Sequence, residues 1–405
     1  MSVTVGIIGG GAAGMMAAIT AARQGATVTL LEGNDRLGKK ILSTGNGKCN
    51  LGNEKLDLEE YYSENPAFLE NCLRRFGTRE TMDFFRGIGL MIKSKNGYLY
   101  PVSEQAAVVL DVLRFAVEAS GVHIVTQCKV TKVEREQHGF TVKGNGKRYH
   151  FDRVILTCGG KAAPKTGSDG SGYDLAKQLG HSMIPTVPAL VQMKCGEDYF
   201  KMVSGVRAEA KLQVFDGARM VAVEWGELQL TDYGISGIPV FQISRVMNYM
   251  LLDRKPVEVS IDLLPDYDKE AFEKLIESRE GLLQDGTVEQ FFTGMLNKKI
   301  MLLFMKMAGV KPTESMTSVS KAKVRKIYEL CKDWRVTVVG SNPYDNAQVC
   351  AGGVPLAELN ESLESKKIPG VFFAGEILDV DGKCGGYNLQ WAWTSGYLAG
   401  VAAGE

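Results

Sequence analysis

The first 32 residues constrain this chain more than any other stretch. Residues 3–8 are a short apolar run of the kind found in a strand buried on both faces. Directly after it, Gly9-Gly10-Gly11-Ala12-Ala13-Gly14 satisfies G-x-G-x-x-G. Residues 12–24 are rich in helix formers, Gly25 stops them, and residues 28–31 form a second apolar run closed by Glu32. Strand, glycine turn, helix and a second strand ending on an acid make up the opening of a dinucleotide-binding fold. Gly9 permits the tight turn, Gly11 lets backbone approach a pyrophosphate, and Gly14 lets helix and strand pack closely. The helix then points free N–H groups and its positive dipole end at the phosphates. A carboxylate at Glu32 can accept from both hydroxyls of an adenosine ribose, and its charge disfavours a 2′-phosphate. Glycine turns also arise for structural reasons alone, but here the strand, the helix and the acid agree.

A chain of 405 residues has room for two or three domains. Lysine plus arginine (47) equals aspartate plus glutamate (47), so no overall positive field recruits nucleic acid or an anionic membrane. No apolar run approaches the ~20 residues of a membrane helix. The apolar start lacks a basic n-region, so it does not read as a signal peptide. Eight cysteines (49, 72, 128, 158, 195, 331, 350 and 384) form no C-x-x-C pair and no metal spacing. Free thiols in a reducing cytoplasm are the expectation, and a flavin disulfide reductase, which needs neighbouring thiols, is disfavoured.

Along the chain, residues 33–53 form a Gly/Asn/Lys-rich connection long enough to be functional. Helices are expected around 66–76, 78–87 and 104–119, then short strands over 122–157 with Gly144-Asn145-Gly146 as a hairpin turn. Residues 154–156 read as a buried strand running into Cys158-Gly159-Gly160. From about residue 185 the character changes: 211–215, 220–225 and 257–261 read as antiparallel strands, and 268–333 as helices rich in lysine and methionine. Strand signals resume at 336–339 and 371–374. A last helix over about 387–403 carries Ala392, Ser395, Gly396, Ala399 and Gly400, small enough to approach another backbone. The expectation is an α/β chain: a discontinuous Rossmann-type domain over 1–185 and 351–405, an inserted antiparallel, barrel-like β domain over 186–266 and 334–350, and a helical subdomain over 267–333.

Residues Leu37-Gly38-Lys39-Lys40-Ile41-Leu42-Ser43-Thr44-Gly45-Asn46-Gly47-Lys48-Cys49-Asn50 resemble the GRKLxxSGGGRCN stretch of the BaiN/RdsA-type FAD-dependent flavoproteins. Their C-terminal signature is matched by Phe373-Ala374-Gly375-Glu376-Ile377-Leu378-Asp379 and then Gly385-Gly386-Tyr387-Asn388. The resemblance runs end to end. It implies FAD in a glutathione-reductase-like Rossmann domain, with Gly9, Gly11, Ala12, Ala13 and Gly14 at the pyrophosphate and Glu32 at the ribose. It further implies that Lys40, Gly45, Cys49 and Asn50 lie along the flavin, that Val130 offers backbone to adenine, and that Gly159 belongs to the cofactor site. Gly375, Glu376 and Asp379 fall near the ribityl and pyrophosphate, while Gly386, Tyr387, Asn388 and Leu389 open the last helix beneath the isoalloxazine. That helix end suits negative charge on reduced flavin. There are departures: Asn46 and Gly47 replace two loop glycines, Lys48 replaces an arginine and loses its bidentate fork, and Asp232 replaces the histidine of FTHFGLSG.

Because flavin carries the hydride, the protein has only to place a substrate and move a proton. Candidate catalytic residues are Tyr387, Tyr233 and Cys49, with Asp232 and Cys384 behind them. Cys49 reads equally as a small residue packed on the cofactor, and Cys384 as passive on a turn. Trp391 and Trp393 do not share a helix face, so at most one lines the pocket. His123 and His181 read as structural, and Lys298-Lys299 and residues 321–326 as solvated basic faces. The Gly167, Gly170, Gly172 cluster has the wrong spacing for a second dinucleotide fingerprint. NADH or NADPH is therefore expected as a transient electron donor. The family's chemistries include reduction of a C=C conjugated to a carbonyl in bile-acid-like steroids, dihydrouridine formation in ribosomal RNA, and aminoketone oxidation. The first two are one reaction, hydride to the β-carbon of an enone and proton to the α-carbon. Enone reduction of a small molecule is the leading expectation, with zero net charge disfavouring RNA and a non-catalytic flavin-binding role ranked last.

Overall fold

The computed structural model describes residues 2–280 and 285–405. They form two compact units, Met1–Pro188 with Tyr344–Glu405, and Ala189–Pro343. Among the described residues no helix is long and apolar enough to cross a membrane.

The first unit is built on a five-stranded parallel sheet in the order Val371–Phe373, Arg153–Leu156, Thr4–Ile8, Thr27–Leu31, His123–Val125. Val5, Ile7, Val154, Ile155 and Val371 are fully buried, as β-branched side chains of a sheet covered on both faces should be. Ile8 pairs with both Leu31 and Leu156, and Leu156 with Phe373, so the carboxyl ends of four strands lie level. Gly9, Glu32, Thr157 and Ala374 therefore emerge along one edge of the sheet, where open α/β folds bind ligands. Beside it, Val130–Arg135, Phe140–Gly144 and Lys147–Phe151 form an antiparallel sheet. Its hairpin turns on Asn145 and Gly146, both at positive φ.

The first helix, Ala12–Arg23, packs against the last, Tyr387–Gly404. A Cβ on Gly396 would sit 2.5 Å from the Ala13 carbonyl oxygen, and one on Gly400 2.6 Å from that of Ala17. The small residues of the last helix thus serve a backbone-to-backbone contact, and its partner is the helix that begins at the glycine turn.

His181 is buried, donating from Nδ1 to Glu358 (2.7 Å) and accepting at Nε2 from the Ser365 hydroxyl (2.8 Å). The serine oxygen in turn accepts from the Lys367 and Ile368 N–H groups, so it must donate its own hydrogen to the ring. Burial holds the His181 pKa below its ordinary 6.5, against the opposing pull of Glu358. Glu358, despite partial burial, is held down at about 2 by Lys367, Ser182 and His181.

The second unit contains a closed six-stranded barrel: Met193–Cys195, Gly234–Gly237, Arg219–Leu230, Arg207–Asp216, Val257–Asp262 and Trp334–Ser341. Helices Lys269–Glu280, Val288–Phe292, Lys298–Met307 and Lys321–Lys332 follow the barrel's fifth strand. The sequence reading places no helix at Ile238–Leu252, yet this helix packs on five barrel strands. Gln242, Ser244, Arg245 and Asn248 interrupt its apolar residues, and Ser244 and Asn248 are themselves buried, so no clean apolar stripe stands out against a strand reading. Val349–Gly353 pairs with Ile184–Ala189 instead of joining the barrel.

Two stability predictions follow from these contacts. Gly400→Ala drives a methyl against Ala17 backbone and the Thr20 hydroxyl, which would lie 2.0 Å away. It should cost about 1–3 kcal/mol, read as a lowered thermal midpoint. Gly87→Ala, with open space around its Cβ, should leave the midpoint nearly unchanged. Separately, the unfolded chain protonates His181 below its ordinary 6.5 while the folded protein resists, so stability falls as pH drops from 7 to 5. His181→Gln should flatten that part of the melting-temperature profile.

Candidate functional site

A cavity of ≈ 370 Å³ opens at the carboxyl edge of the parallel sheet, entirely within the first unit. Its floor is the glycine turn. Gly9 adopts φ +108, donates its N–H to the Leu31 carbonyl at 2.8 Å, and has no room for a Cβ, which would lie 2.6 Å from the Thr157 carbonyl. Gly14 faces Gly9 so closely that a Cβ would lie 1.9 Å from its carbonyl oxygen. Gly11 differs from both, because a Cβ there meets nothing within 4 Å. It caps the first helix with no side-chain hydrogen bond, and the first turn holds no acid. The free N–H groups of that turn are thus left for an anion from outside the protein.

Glu32 is 8% exposed. Its Oε2 accepts from Gly10 N–H (2.7 Å), and its Oε1 from the backbone and side-chain nitrogens of Asn34 (2.7 and 2.8 Å). Further along the wall, Lys40 pairs with Glu376 at 2.7 Å, and Glu376 also accepts from the Cys350 N–H at 2.8 Å. Gly375, at φ +81, is held by its N–H on the Ser395 hydroxyl (2.9 Å) and by its carbonyl under the Trp391 indole N–H (3.2 Å). The last helix begins at Gly386, again without a side-chain cap or an acid in its first turn. Its Asn388 clamps the preceding loop, bonding both the Gly382 N–H (2.9 Å) and carbonyl (2.7 Å).

Of the residues expected at a cofactor, Gly9, Gly11, Ala12, Ala13, Glu32, Lys40, Val130, Gly159, Gly375, Glu376, Asn388 and Leu389 line this one cavity. Gly14 stands behind it as packing. Gly45, Cys49, Asn50, Asp379, Gly386 and Tyr387 are not among its lining residues. Cys49 is fully buried at φ +57, and burial pushes its thiol up to about 12, only partly offset by Thr44. Asn50 Oδ1 is buried with no hydrogen-bond partner. Asp379 is buried and accepts the Glu64 N–H at 3.1 Å. Tyr387 stands edge-on to Tyr61 at 5.3 Å, and burial pushes its phenol up to about 12. Tyr233 belongs to the second unit, where its hydroxyl accepts from Asn342 at 2.9 Å. Trp391 lines the cavity and Trp393 does not, as their helix positions require. The sequence reading missed Asn34, Thr157, Thr166, Gly167 and Ser168, all in the wall. The only signal for the last three was the glycine cluster around Gly167, which serves this cavity and not a second nucleotide site.

The residues fit an adenine dinucleotide: two uncapped helix N-termini, an open glycine cradle and a buried acid converge on a single cavity. Comparisons with known proteins agree. Residues 3–402 match the family described as HI0933-like protein Rossmann domain. The chain is 44% identical to the 3-dehydro-bile acid delta(4,6)-reductase of Clostridium scindens, over 99% of both chains. It is 30% identical to the ribosomal RNA dihydrouridine synthase of Haemophilus influenzae, over 98% of this chain and 97% of that one. In fold it resembles the 3-ketosteroid delta1-dehydrogenase of Sterolibacterium denitrificans, with a TM-score of 0.51, 12% identity and 99% of each chain covered.

Because a Cβ at Gly11 meets no protein atom within 4 Å and Gly11 lines the cavity at the helix N-terminus, Gly11→Val separates binding from folding. The expected variant is soluble and melts like the ligand-free parent, yet retains at least tenfold less adenine dinucleotide on purification. Gly14→Ala, by contrast, should be recovered poorly.

Proposed function

The chain belongs to the HI0933-like Rossmann-domain family, the BaiN/RdsA-type FAD-dependent flavoproteins, and on that premise we propose that it is an enone reductase. Its substrate is a 3-oxo-Δ4 steroid or bile-acid-like ring, and NADH or NADPH supplies the electrons. One observation carries this reading: 44% identity over essentially the whole length to a reductase acting on 3-dehydro bile acids. The 30% identity to ribosomal RNA dihydrouridine synthases places RNA second. In the helical segment, residues 267–333, four of the twelve lysines and arginines are paired with carboxylates among the described residues: Lys274 with Glu270, Lys298 with Glu289, Arg325 with Glu273 and Lys332 with Asp262. The others keep phosphate contact open to the second reading. The eight free cysteines suit a reducing compartment such as the cytoplasm.

In this reading the glycine turn and first helix hold the diphosphate of FAD, and Glu32 a ribose hydroxyl. FAD held there would supply hydride transfer, from a nicotinamide to the β-carbon of the conjugated C=C. The chain's part is to favour negative charge at the start of the last helix, where Asn388 and Leu389 reach the cavity, and to supply a proton for the α-carbon. Tyr387 is our candidate donor. It opens that helix next to Asn388, which lines the cavity, while its own ring packs edge-on against Tyr61 outside the lining. Cys49 is better placed to pack than to react.

Anaerobic stopped-flow absorbance tests the proposal. NADH or NADPH should bleach the bound flavin, and a 3-oxo-Δ4 steroid should restore its colour without oxygen. Tyr387→Phe should leave bleaching unchanged and slow the restoration about 10²-fold. Bleaching that only ribosomal RNA fragments reverse would move the substrate to RNA. No bleaching by either nucleotide would remove the nicotinamide-dependent reductase.

A further inference from the structure

We propose that Asn34 is a positioning residue for dinucleotide binding: it sets the Glu32 carboxylate and ties residues 163–170 to the wall beside it. The inference rests on Glu32 as the ribose acceptor and assigns the residue that makes Glu32 competent.

Asn34 Nδ2 donates to Glu32 Oε1 at 2.8 Å and to the Thr166 carbonyl at 3.0 Å. Both partners can only accept, so the amide must face them with its nitrogen. Its oxygen accepts from Lys39 Nζ at 3.3 Å, and Lys39 is itself held by Asp35 at 2.7 Å. The main chain here is pinned as well, the Asn34 carbonyl accepting from Gln127 N–H (2.7 Å) and that of Glu32 from Cys128 N–H (2.8 Å). With Asn34 N–H and Nδ2 both on Oε1, and Gly10 N–H on Oε2, roughly three of the carboxylate's four acceptor positions are taken. The remaining one is on Oε2, the oxygen at the glycine turn. The Asn34 amide thus decides which oxygen of Glu32 is free to meet a ribose hydroxyl.

The same amide requires Gly167. At φ +111, a Cβ on Gly167 would lie 2.5 Å from Asn34 Nδ2. The segment is tied at two further points, Ala163 N–H on the Tyr344 carbonyl (2.9 Å) and Asp169 on Lys129 (2.7 Å). Thr166, Gly167 and Ser168 line the cavity, so Asn34 joins the end of the second strand to the neighbouring part of the wall.

The test compares Asn34→Ala, Gly167→Ala and the double variant with the parent holoprotein. FAD release on dilution is followed by flavin fluorescence, and ADP is titrated as a competitor. Asn34→Ala should weaken FAD and ADP by the same factor, about tenfold, because the lost hydrogen bond serves a charged acceptor on the adenosine side. The absorbance spectrum of the bound flavin at saturation should stay that of the parent, which a general loosening of the site would not allow. Gly167→Ala should be the more harmful single change, and less harmful once Asn34→Ala has removed the amide it strikes. Parent-like affinities in Asn34→Ala, or FAD weakened with ADP unaffected, would overturn the proposal. A parent protein that takes up no FAD at all would overturn the premise about Glu32 together with it, a different and recognisable result.

Discussion

The first unit depends on one steric constraint, the approach of backbone to backbone on both sides of the first helix. On the sheet side, Gly14 abuts the Gly9 carbonyl, which also accepts the Thr157 hydroxyl at 2.7 Å. On the far side, Gly396, Gly400 and Gly404 of the last helix meet the carbonyls of Ala13, Ala17 and Ala21. A helix gripped in this way cannot slide or tilt without opening contacts along its length. Its N-terminus is therefore fixed at the edge of the sheet. The last helix is fixed in the same manner, since a Cβ on Gly386 would lie 2.6 Å from Gly52 backbone. Two helix ends with unsatisfied N–H groups are delivered to one cavity by contacts that only small residues permit.

Charge explains why those helix ends matter. Three lysines line the cavity among the described residues, Lys39, Lys40 and Lys129, and each is matched by a carboxylate: Asp35, Glu376 and Asp169. Glu32 adds a fourth acid with no lysine opposite. Only Glu32 and Glu376 of these acids line the cavity, and with all three lysines paired the side-chain charge at its wall is close to balanced, a weak field for a diphosphate. The favourable field has to come from oriented peptide groups at short range, where the helix dipole and free N–H donors act together. The balance also suits a second ligand without formal charge, since neither excess lysine nor excess acid is presented to it.

How far this was legible in the sequence follows from the range of each interaction. The strand, turn, helix and acid at residues 4–32 are local patterns, and each sits where its spacing implies. The small residues of the last helix announced a tight contact but not the partner, which lies more than 370 positions away in the chain. Asn34 was invisible because its role depends on Thr166 and Gly167, which join it only through the fold. Helix Ile238–Leu252 was missed for a local reason: Ser244 and Asn248 lie on its buried face and blur its apolar period. Cys49 shows the limit of a motif, for the residue is in the expected stretch while its thiol is sealed from the cavity wall.

The thiols near the cavity narrow the chemistry further. Cys158 lines it, and burial, helped by the nearby negative charge of Glu32, pushes its pKa up to about 12. Cys350, whose N–H is held by Glu376, is pushed up to about 11 for the same first reason. Cys49 stands at about 12. A nucleophilic or redox-active cysteine works as a thiolate and is found beside cations or a helix N-terminus that lower its pKa. These three are displaced the other way, in favour of the protonated form. Covalent attack and thiol–disulfide exchange are therefore suppressed at these three thiols. Hydride transfer by a bound flavin needs neither.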